Sequence, residues 1–233
     1  MLTVATKDIP HRLIVSSSHY LTLILTRIHP MSITLPPNVV TLQNDTYSSL
    51  LNKLRDRTLS SPEVRSLVKT LTSLIVSSID IKAQQGEVIA VIVVLRSGLS
   101  MFESFMSEIP AESAASASTY HIGIFRDKAT LQPVEYYNKL PAKPDAIKRA
   151  FVLDPLIATG GTADAVVNIM KDWGVETVNF ISLLSSTAGI TRVAKEWPDH
   201  TTFFVGSVDP ELDSQSFISP GVGDIGDRLF GTS

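Results

Sequence analysis

The chain has 233 residues, of which 44% are hydrophobic and 18% charged, a balance typical of one compact globular domain with a buried core. Its formal net charge of -3 argues against a broadly basic, nucleic-acid-binding surface, so any phosphate site has to be local. The absence of cysteine excludes disulfides, thiolate metal sites and thiol nucleophiles, and it favours a cytoplasmic location.

Residues 1–37 differ in composition from the rest. They hold three of the five histidines and only one acidic residue, Asp8, which is a weak organelle-transit composition. We favour a disordered or mispredicted leader, because Met31 comes just before Pro36 and Pro37 and could itself start the functional chain. We therefore expect an N-terminal extension over 1–37 and a single domain over 38–233. No apolar run approaches the roughly twenty residues of a transmembrane helix, so no membrane partner is expected.

Two amphipathic helical patterns follow the prolines. The first includes Tyr47, Leu51 and Leu54, and the second opens at Ser61 as the cap, with Pro62 in its first turn. From Gly86 onward the pattern changes to continuous apolar runs, which indicate strands covered on both faces: 88–95, 120–125, 150–153, 178–184 and 203–208.

Helical stretches at 99–107, 162–173 and 187–197 alternate with these strands. The alternation predicts an α/β fold with a doubly wound, mainly parallel sheet flanked by helices. Ligands bind such sheets beyond the carboxyl ends of the strands. The loops after Leu95, Leu153 and Val208 are therefore the candidate sites.

The segment 93–99 places Arg96 and Gly98 directly after a buried strand. There the guanidinium can bind a diphosphate through two parallel hydrogen bonds. The alternative is an ordinary surface arginine after a strand.

The segment 124–141 predicts two strands joined by a charged loop at Arg126, Asp127 and Lys128. From the residues alone, a solvated turn is the stronger interpretation of this loop.

The segment 151–162 carries an acid, Asp154, at the end of a strand, followed by small residues that open directly into a helix. Adjacent Gly160 and Gly161 let backbone N–H groups turn toward a phosphate, and the helix N-terminus adds its positive dipole. The carboxylate can accept hydrogen bonds from vicinal sugar hydroxyls, so a phosphoribosyl group is the predicted ligand. The alternative is a plain strand-to-helix turn in which Thr159 and Thr162 satisfy backbone donors.

The segment 217–232 interleaves glycines with acids and follows a strand pattern. We expect a tight loop that exposes its backbone amides and carbonyls, which can match the donor and acceptor edge of a pyrimidine without a charged side chain.

Together these four segments resemble, in order, those of the uracil phosphoribosyltransferases, and the resemblance covers about residues 38–233. Pro155 stands where other phosphoribosyltransferases carry a second acid, and Asp-Pro followed by Ala-Thr-Gly-Gly is the variant of the uracil enzymes. Ser97 replaces the usual alanine and Phe217 the usual tyrosine. The connection 80–87 is more direct than the hairpin-like excursion that the family usually carries. The subunit contacts and nucleotide activation found in the family therefore do not carry over to this chain with the other motifs.

The resemblance implies a type I phosphoribosyltransferase fold with a small C-terminal hood and a flexible β-arm, and an enzyme that makes UMP and diphosphate from uracil and 5-phosphoribosyl 1-diphosphate (PRPP). It implies Mg²⁺ as cofactor, bound mainly through PRPP and water near Asp224, with no direct protein ligand. It also implies a homo-oligomer, dimer or tetramer. No nucleic-acid partner is expected, on the ground of the net charge.

Carried over position by position, the resemblance implies the following site residues. The catalytic set is Arg96, Arg126, Asp154 and Asp224. The PRPP-binding set contains those four together with Pro155, Leu156, Ile157, Ala158, Thr159, Gly160, Gly161 and Thr162. The uracil-binding set is Phe217, Ile218, Gly223, Asp224 and Ile225.

Two alternatives stay open. The chain could be a non-catalytic regulator that binds PRPP or a nucleotide, but the expected damage to Arg96, Asp154 or the glycine loop is not visible. It could also act on another base, for which Phe217 and the direct connection at 80–87 are the signs.

Overall fold

An eight-stranded sheet forms the centre of the fold. The computed structural model describes residues 34–127 and 132–232, except for the side chain of Arg126. The main path of the sheet runs β1-β8-β7-β5-β2-β3-β4, and the short β6 pairs with β7. These strands are β1 (Val39–Thr41), β2 (Val88–Leu95), β3 (Ala117–Arg126), β4 (Pro133–Asn138), β5 (Ile147–Leu153), β6 (Leu156–Ile157), β7 (Thr177–Ser186) and β8 (Thr201–Asp209).

Every strand pair of this sheet is parallel except β3 with β4, which is antiparallel. The mainly parallel sheet and the two-stranded arm predicted from the sequence are thus confirmed. A separate antiparallel pair, β9 (Glu211–Leu212) and β10 (Ile218–Ser219), follows β8.

Seven helices accompany the strands within the described ranges. They are α1 (Asp45–Leu54), α2 (Ser61–Val76), α3 (Leu99–Glu108), α4 (Ala111–Ala114), α5 (Gly161–Trp173), α6 (Thr187–Val193) and α7 (Ile225–Phe230). The cap of α2 is Ser60, one residue before the predicted Ser61, and its N–H donates to the Glu63 carboxylate at 2.8 Å. None of these helices combines the length and hydrophobicity needed to cross a membrane.

Helices cover both faces of the sheet, as β2 illustrates. Ile89, Val91 and Val93 belong to the hydrophobic cluster that includes residues of α1, α2 and α3. Ala90, Ile92 and Val94 belong to the cluster that includes residues of α5 and α6. Because both faces are buried, the strand is apolar throughout rather than alternating, which confirms the doubly wound interpretation.

Two predicted elements differ from the structure. Helix α6 ends at Val193 rather than at residue 197. Beyond it the backbone hydrogen bonds span three residues instead of four, as from the Lys195 N–H to the Arg192 carbonyl at 3.2 Å. The segment 217–232 is not a loop throughout, because it contains α7. Asp224 caps this helix by accepting the Asp227 N–H at 3.1 Å, and Ile225 and Leu229 are buried.

The predicted domain boundary near residue 37 stays a prediction. Residues 1–33, on which the prediction of a leader depends, lie outside the described residues. From Leu35 onward the chain forms one compact unit.

Candidate active site

A cavity of about 290 Å³ lies where the loops after β2 and β5 meet the C-terminal segment. This volume is close to the lower end of the range for small-molecule sites. Its lining includes nine residues singled out from the sequence: Arg96, Asp154, Leu156, Ala158, Thr162, Phe217, Gly223, Asp224 and Ile225. Val94, Leu95, Ser97, Ile124, Ser216 and Gly226 complete it.

The loop after β2 packs tightly against the end of β5. A Cβ atom on Gly98 would overlap the carbonyl oxygen of Leu153 and lie 2.6 Å from that of Val94, so only glycine fits there. This close approach brings Ser97 to the carboxylate at the end of β5. The Leu95–Arg96 peptide bond, at the start of the same loop, is cis.

Arg96 lies at the rim of the cavity with about half of its side chain exposed. Its Nη2 atom is 3.4 Å from Oδ1 of Asp227 and 3.4 Å from Oγ1 of Thr232. Among the described lining residues it is the one cationic side chain. Of the described residues that line the cavity, this guanidinium is therefore the group that favours an anionic ligand by its charge.

Asp154 ends β5 and is buried beneath the cavity, at 6% exposure. Burial raises the pKa of this carboxyl to about 7, although hydrogen bonds from the Leu156 N–H and the Ser97 hydroxyl oppose that shift. The group can therefore hold or release a proton near neutral pH. A ligand that donates hydrogen bonds to it favours the ionised form.

The small-residue loop 156–163 forms a second, adjoining hollow of about 100 Å³ at the N-terminus of α5. Gly160 precedes the helix in the left-handed region, at φ 82°. As a glycine it provides no capping side chain, and the N–H groups of the first helical turn have no partner within the helix. Such N–H groups and the helix dipole together favour an anion such as phosphate.

The turn between β7 and α6 holds this loop in shape. The Ser186 hydroxyl donates to the Ala158 carbonyl at 2.6 Å and accepts the Gly189 N–H at 2.8 Å, while Ser185 donates to the Ile157 carbonyl at 3.1 Å. A Cβ on Gly189 would overlap the Ala158 oxygen. The sequence reasoning missed these residues, because they lie about 28 positions further along the chain.

The opposite wall of the cavity comes from the segment after β9. Ser216 adopts a positive φ of 66°, and the Asp213 carboxylate accepts the N–H groups of Gln215 and Phe217 at 2.9 Å each. The Phe217 ring lines the cavity and remains 36% exposed. Gly223 has a φ of 76°, which favours glycine, and the Arg57 guanidinium occupies the space that a Cβ atom would need.

Two arginines that the sequence reasoning missed support this wall. Arg55 pairs with Asp209 through two contacts of 2.7 and 2.8 Å, and the same carboxylate accepts the Gly221 N–H at 2.9 Å. Arg228 donates to the carbonyls of Leu54 and Val222 at 2.7 and 2.6 Å. Asp209 follows the pattern of Asp154, an acid at the carboxyl end of a strand, and that signal could have identified it.

Some predicted site residues lie elsewhere. Ile218 is buried in the hydrophobic cluster beside α1 and α2 and does not line the cavity, and Pro155 lines neither hollow. Ile157, Thr159, Gly160 and Gly161 line only the hollow at α5. Arg126 ends β3, but its side chain lies outside the described part, as do residues 128–131 of the charged loop.

The described ranges contain no group of three or more histidine, aspartate or glutamate side chains arranged to hold a metal ion. Two carboxylates, Asp154 and Asp224, do line the cavity. They fit a hard cation that keeps most of its ligands from water and a phosphate-bearing substrate.

The family model and the curated relatives that match this chain belong to one family. The family model described as "Uracil phosphoribosyltransferase" matches residues 77–232, more than half of the chain. A candidate uracil phosphoribosyltransferase of Schizosaccharomyces pombe is 42% identical over 77% of this chain and 83% of its own. A uracil phosphoribosyltransferase of Roseiflexus is 34% identical over 83% of this chain and 98% of its own. A solved structure of an Aquifex aeolicus protein superposes with a TM-score of 0.73 at 27% identity, over 84% of this chain and 99% of that one.

Proposed function

The chain belongs to the uracil phosphoribosyltransferase family, and from that premise we propose that it transfers the phosphoribosyl group of PRPP to N1 of uracil, giving UMP and diphosphate. The observation that carries this proposal is the cavity itself. Together with the adjoining hollow, it joins an arginine, a buried carboxylate, an anion-binding helix terminus and a loop backbone, which come from three separate segments of the chain.

PRPP divides naturally among the first three of these groups. The hollow at the start of α5 suits the 5'-phosphate, since the backbone N–H groups of the first helical turn can bind a phosphate without a cationic side chain. Asp154 suits the ribose hydroxyls, which donate to its carboxylate and favour its ionised state. Arg96 suits the diphosphate at the cavity rim, and Arg126 is proposed to join it on the family resemblance.

Uracil is proposed to lie against the C-terminal wall. The backbone at Gly223, Asp224 and Ile225 offers donors and acceptors beside the cavity, and the Phe217 ring offers an apolar face. Phenylalanine lacks the hydroxyl of the tyrosine usual at this position, so base selection rests on the backbone groups. Ile218 contributes through the packing of this wall, because its own side chain is buried.

In the reaction, the bond from C1 of the ribose to the diphosphate oxygen breaks as the bond from C1 to N1 of uracil forms. Diphosphate leaves with the bonding electron pair, and the N1 proton passes to water. The transition state has oxocarbenium character. The residues of the cavity perform no covalent chemistry; they hold the two partners in line and stabilise the charge that departs with diphosphate.

We propose Mg²⁺ as the cofactor, held through PRPP and water with Asp224 nearby. When bound, it would neutralise part of the diphosphate charge. Because the described ranges hold no metal-ligand cluster, EDTA is expected to stop turnover without changing the unfolding temperature of the free protein. Differential scanning calorimetry with and without EDTA, beside an activity assay, measures both. A lowered unfolding temperature would mean that the fold itself holds a metal.

The assignment of the phosphate hollow is tested by two glycines that flank α5. Gly160 and Gly174 both have positive φ, 82° and 90°, but only Gly160 belongs to the hollow. Gly160→Ala is expected to weaken PRPP binding at least tenfold in isothermal titration calorimetry, because both the backbone and the close Gly189 carbonyl oppose a Cβ. Gly174→Ala is the control, with similar backbone strain and unchanged affinity. Equal losses in both variants would remove the hollow from the PRPP site.

We extend the proposal to a cytoplasmic homo-oligomer, a dimer or a tetramer, on the ground of composition and the family resemblance. Analytical ultracentrifugation measures the oligomeric state, and a monomer at micromolar concentration would contradict that part.

A further inference from the structure

Three residues of the C-terminal segment surround the guanidinium of Arg96. Asp227 Oδ1 and Thr232 Oγ1 each lie 3.4 Å from its Nη2 atom, and the Phe230 ring centroid lies 5.4 Å from the guanidinium carbon. Within the described ranges no other ion pair or hydrogen bond involves this side chain, which is 52% exposed. The position of Arg96 therefore depends on α7 and the residues just after it.

The carboxylate of Asp227 is itself fixed. The Thr232 hydroxyl donates to its Oδ1 at 2.5 Å, and the Asp227 N–H donates to the Asp224 carboxylate at 3.1 Å. Gly231, at φ 64°, turns the chain after α7 so that the Thr232 N–H reaches the Asp227 carbonyl at 3.3 Å. The short helix and its C-cap thus form a rigid support for one end of the guanidinium.

We propose that Asp227 is a positioning residue: with Thr232 and Phe230, it fixes Arg96 at the cavity rim before PRPP binds. This inference rests on the proposed function, in which Arg96 binds the diphosphate. Among the described residues only Nη2 is engaged, which leaves Nε and Nη1 for phosphate oxygens. An unsupported arginine would lose more rotamer freedom on binding, and orienting it beforehand reduces that cost.

A competing interpretation of Asp227 is that it weakens the binding of PRPP. A carboxylate beside a diphosphate site repels the ligand, and Asp227 could simply compete for Arg96. The two interpretations predict opposite effects of removing the Asp227 charge, because loss of a support lowers efficiency with PRPP whereas loss of a competitor raises it.

The test is steady-state kinetics of Asp227→Asn in the wild-type and Arg96→Ala backgrounds. In the wild type, the substitution is expected to lower kcat/KM for PRPP about three- to fivefold, the size of a half-exposed ion pair, and to leave KM for uracil unchanged. In the Arg96→Ala background it is expected to change nothing further, because the supported side chain is gone. Glu176→Gln is the control; it breaks the exposed pair with Lys148, whose atoms lie 3.6 Å apart, away from the cavity.

Equal losses in both backgrounds would overturn the inference, because Asp227 would then act independently of Arg96. A rise in kcat/KM for PRPP would overturn it in favour of competition. If Arg96→Ala leaves turnover intact, both the proposed role of Arg96 and this inference fail, while the reaction itself still stands. Should Asp227→Asn misfold, Thr232→Val provides the same cycle, with the same direction expected.

Discussion

Asp154 is a carboxyl whose burial shifts its titration into the neutral range. A carboxyl with a pKa of about 7 stays protonated in the native state over a range in which the unfolded chain, with the ordinary pKa of 3.8, has already ionised it. The native state therefore binds more protons between these two values. Stability contributed by this group is complete below the lower value and is lost as the pH rises toward 7.

Asp154→Asn removes this titration, and the variant is expected to gain stability over the wild type as the pH rises from about 4 to about 8. The gain has an upper limit of roughly 4 kcal/mol, from about three units of pKa. Urea unfolding at about pH 4 and about pH 8 measures it, and Asp172→Asn, at an exposed aspartate, is the control. The variant is also expected to lose most turnover, since the amide has no negative charge and offers one acceptor oxygen in place of two. A stability difference that does not change with pH would refute the assignment.

Ser97 is the residue that departs from the family pattern beside this carboxyl. Its hydroxyl lowers the pKa of Asp154 against the effect of burial, so Ser97→Ala is expected to raise that pKa further. The acid limb of the pH profile of kcat/KM for PRPP should then move up by about one unit, with the plateau at high pH retained. Ser107→Ala, at a serine near the end of α3, is the control. An unmoved limb together with a lower plateau would mean that Ser97 acts on something other than this titration.

At the scale of elements, the phosphate hollow depends on a turn that contributes no residue to it. Ser186 is fully buried and joins the Ala158 carbonyl to the Gly189 N–H. Ser186→Ala is expected to cost about 1–3 kcal/mol of unfolding free energy, because both partners lose a buried hydrogen bond. KM for PRPP should rise severalfold while KM for uracil stays constant.

Urea unfolding and initial-rate kinetics check both effects, with Ser77→Ala, at an exposed helix end, as the control. Equal rises in KM for both substrates would mean that the turn supports the whole cavity rather than the hollow.

The elements that local sequence patterns predict best are those whose burial is uniform. The run in β2 is apolar because helices cover both faces of the sheet. The Gly160–Gly161 pair predicts the start of α5 because Gly160, just before the helix, adopts the left-handed conformation that glycine favours. Helix α7 escaped prediction because its glycine-rich sequence favours a loop. Its stability comes from burying Ile225 and Leu229 against distant helices and from the Asp224 cap.

The same distinction applies to the site. Arg96, Asp154 and the glycine loop follow strand ends and were identified from sequence, whereas Asp209, Arg55 and Ser186 act through partners 154 or 28 positions away. Ile218 was expected to face the base but is buried, since β10 pairs with β9 and turns that side chain into the core. The contacts of Arg55 and Ser186 leave no local pattern in a single sequence, whereas Asp209, an acid at the end of a strand, carries the same signal as Asp154.

At the scale of the whole molecule, the Arg55–Asp209 pair ties the end of α1 to the C-terminal wall. Asp209→Asn is expected to cost about 3 kcal/mol, because Arg55 is left half-buried without its counter-charge. KM for uracil should rise more than KM for PRPP, since the Gly221 N–H is held by the same carboxylate. Urea unfolding measures the loss of stability, and initial-rate kinetics measure the two KM values. Glu112→Gln, which breaks an exposed pair with Lys82, is the control. A larger rise in KM for PRPP than for uracil would mean that the Arg55–Asp209 pair supports the PRPP site rather than the C-terminal wall.

The central claim, that this cavity joins uracil to PRPP, is tested most directly by UMP formation from uracil, PRPP and Mg²⁺ with the purified chain, beside cytosine, hypoxanthine and orotate. We expect product from uracil alone, and its loss in Asp154→Asn. Product from another base would contradict the base assignment, and PRPP binding without product from any base would identify a non-catalytic regulator.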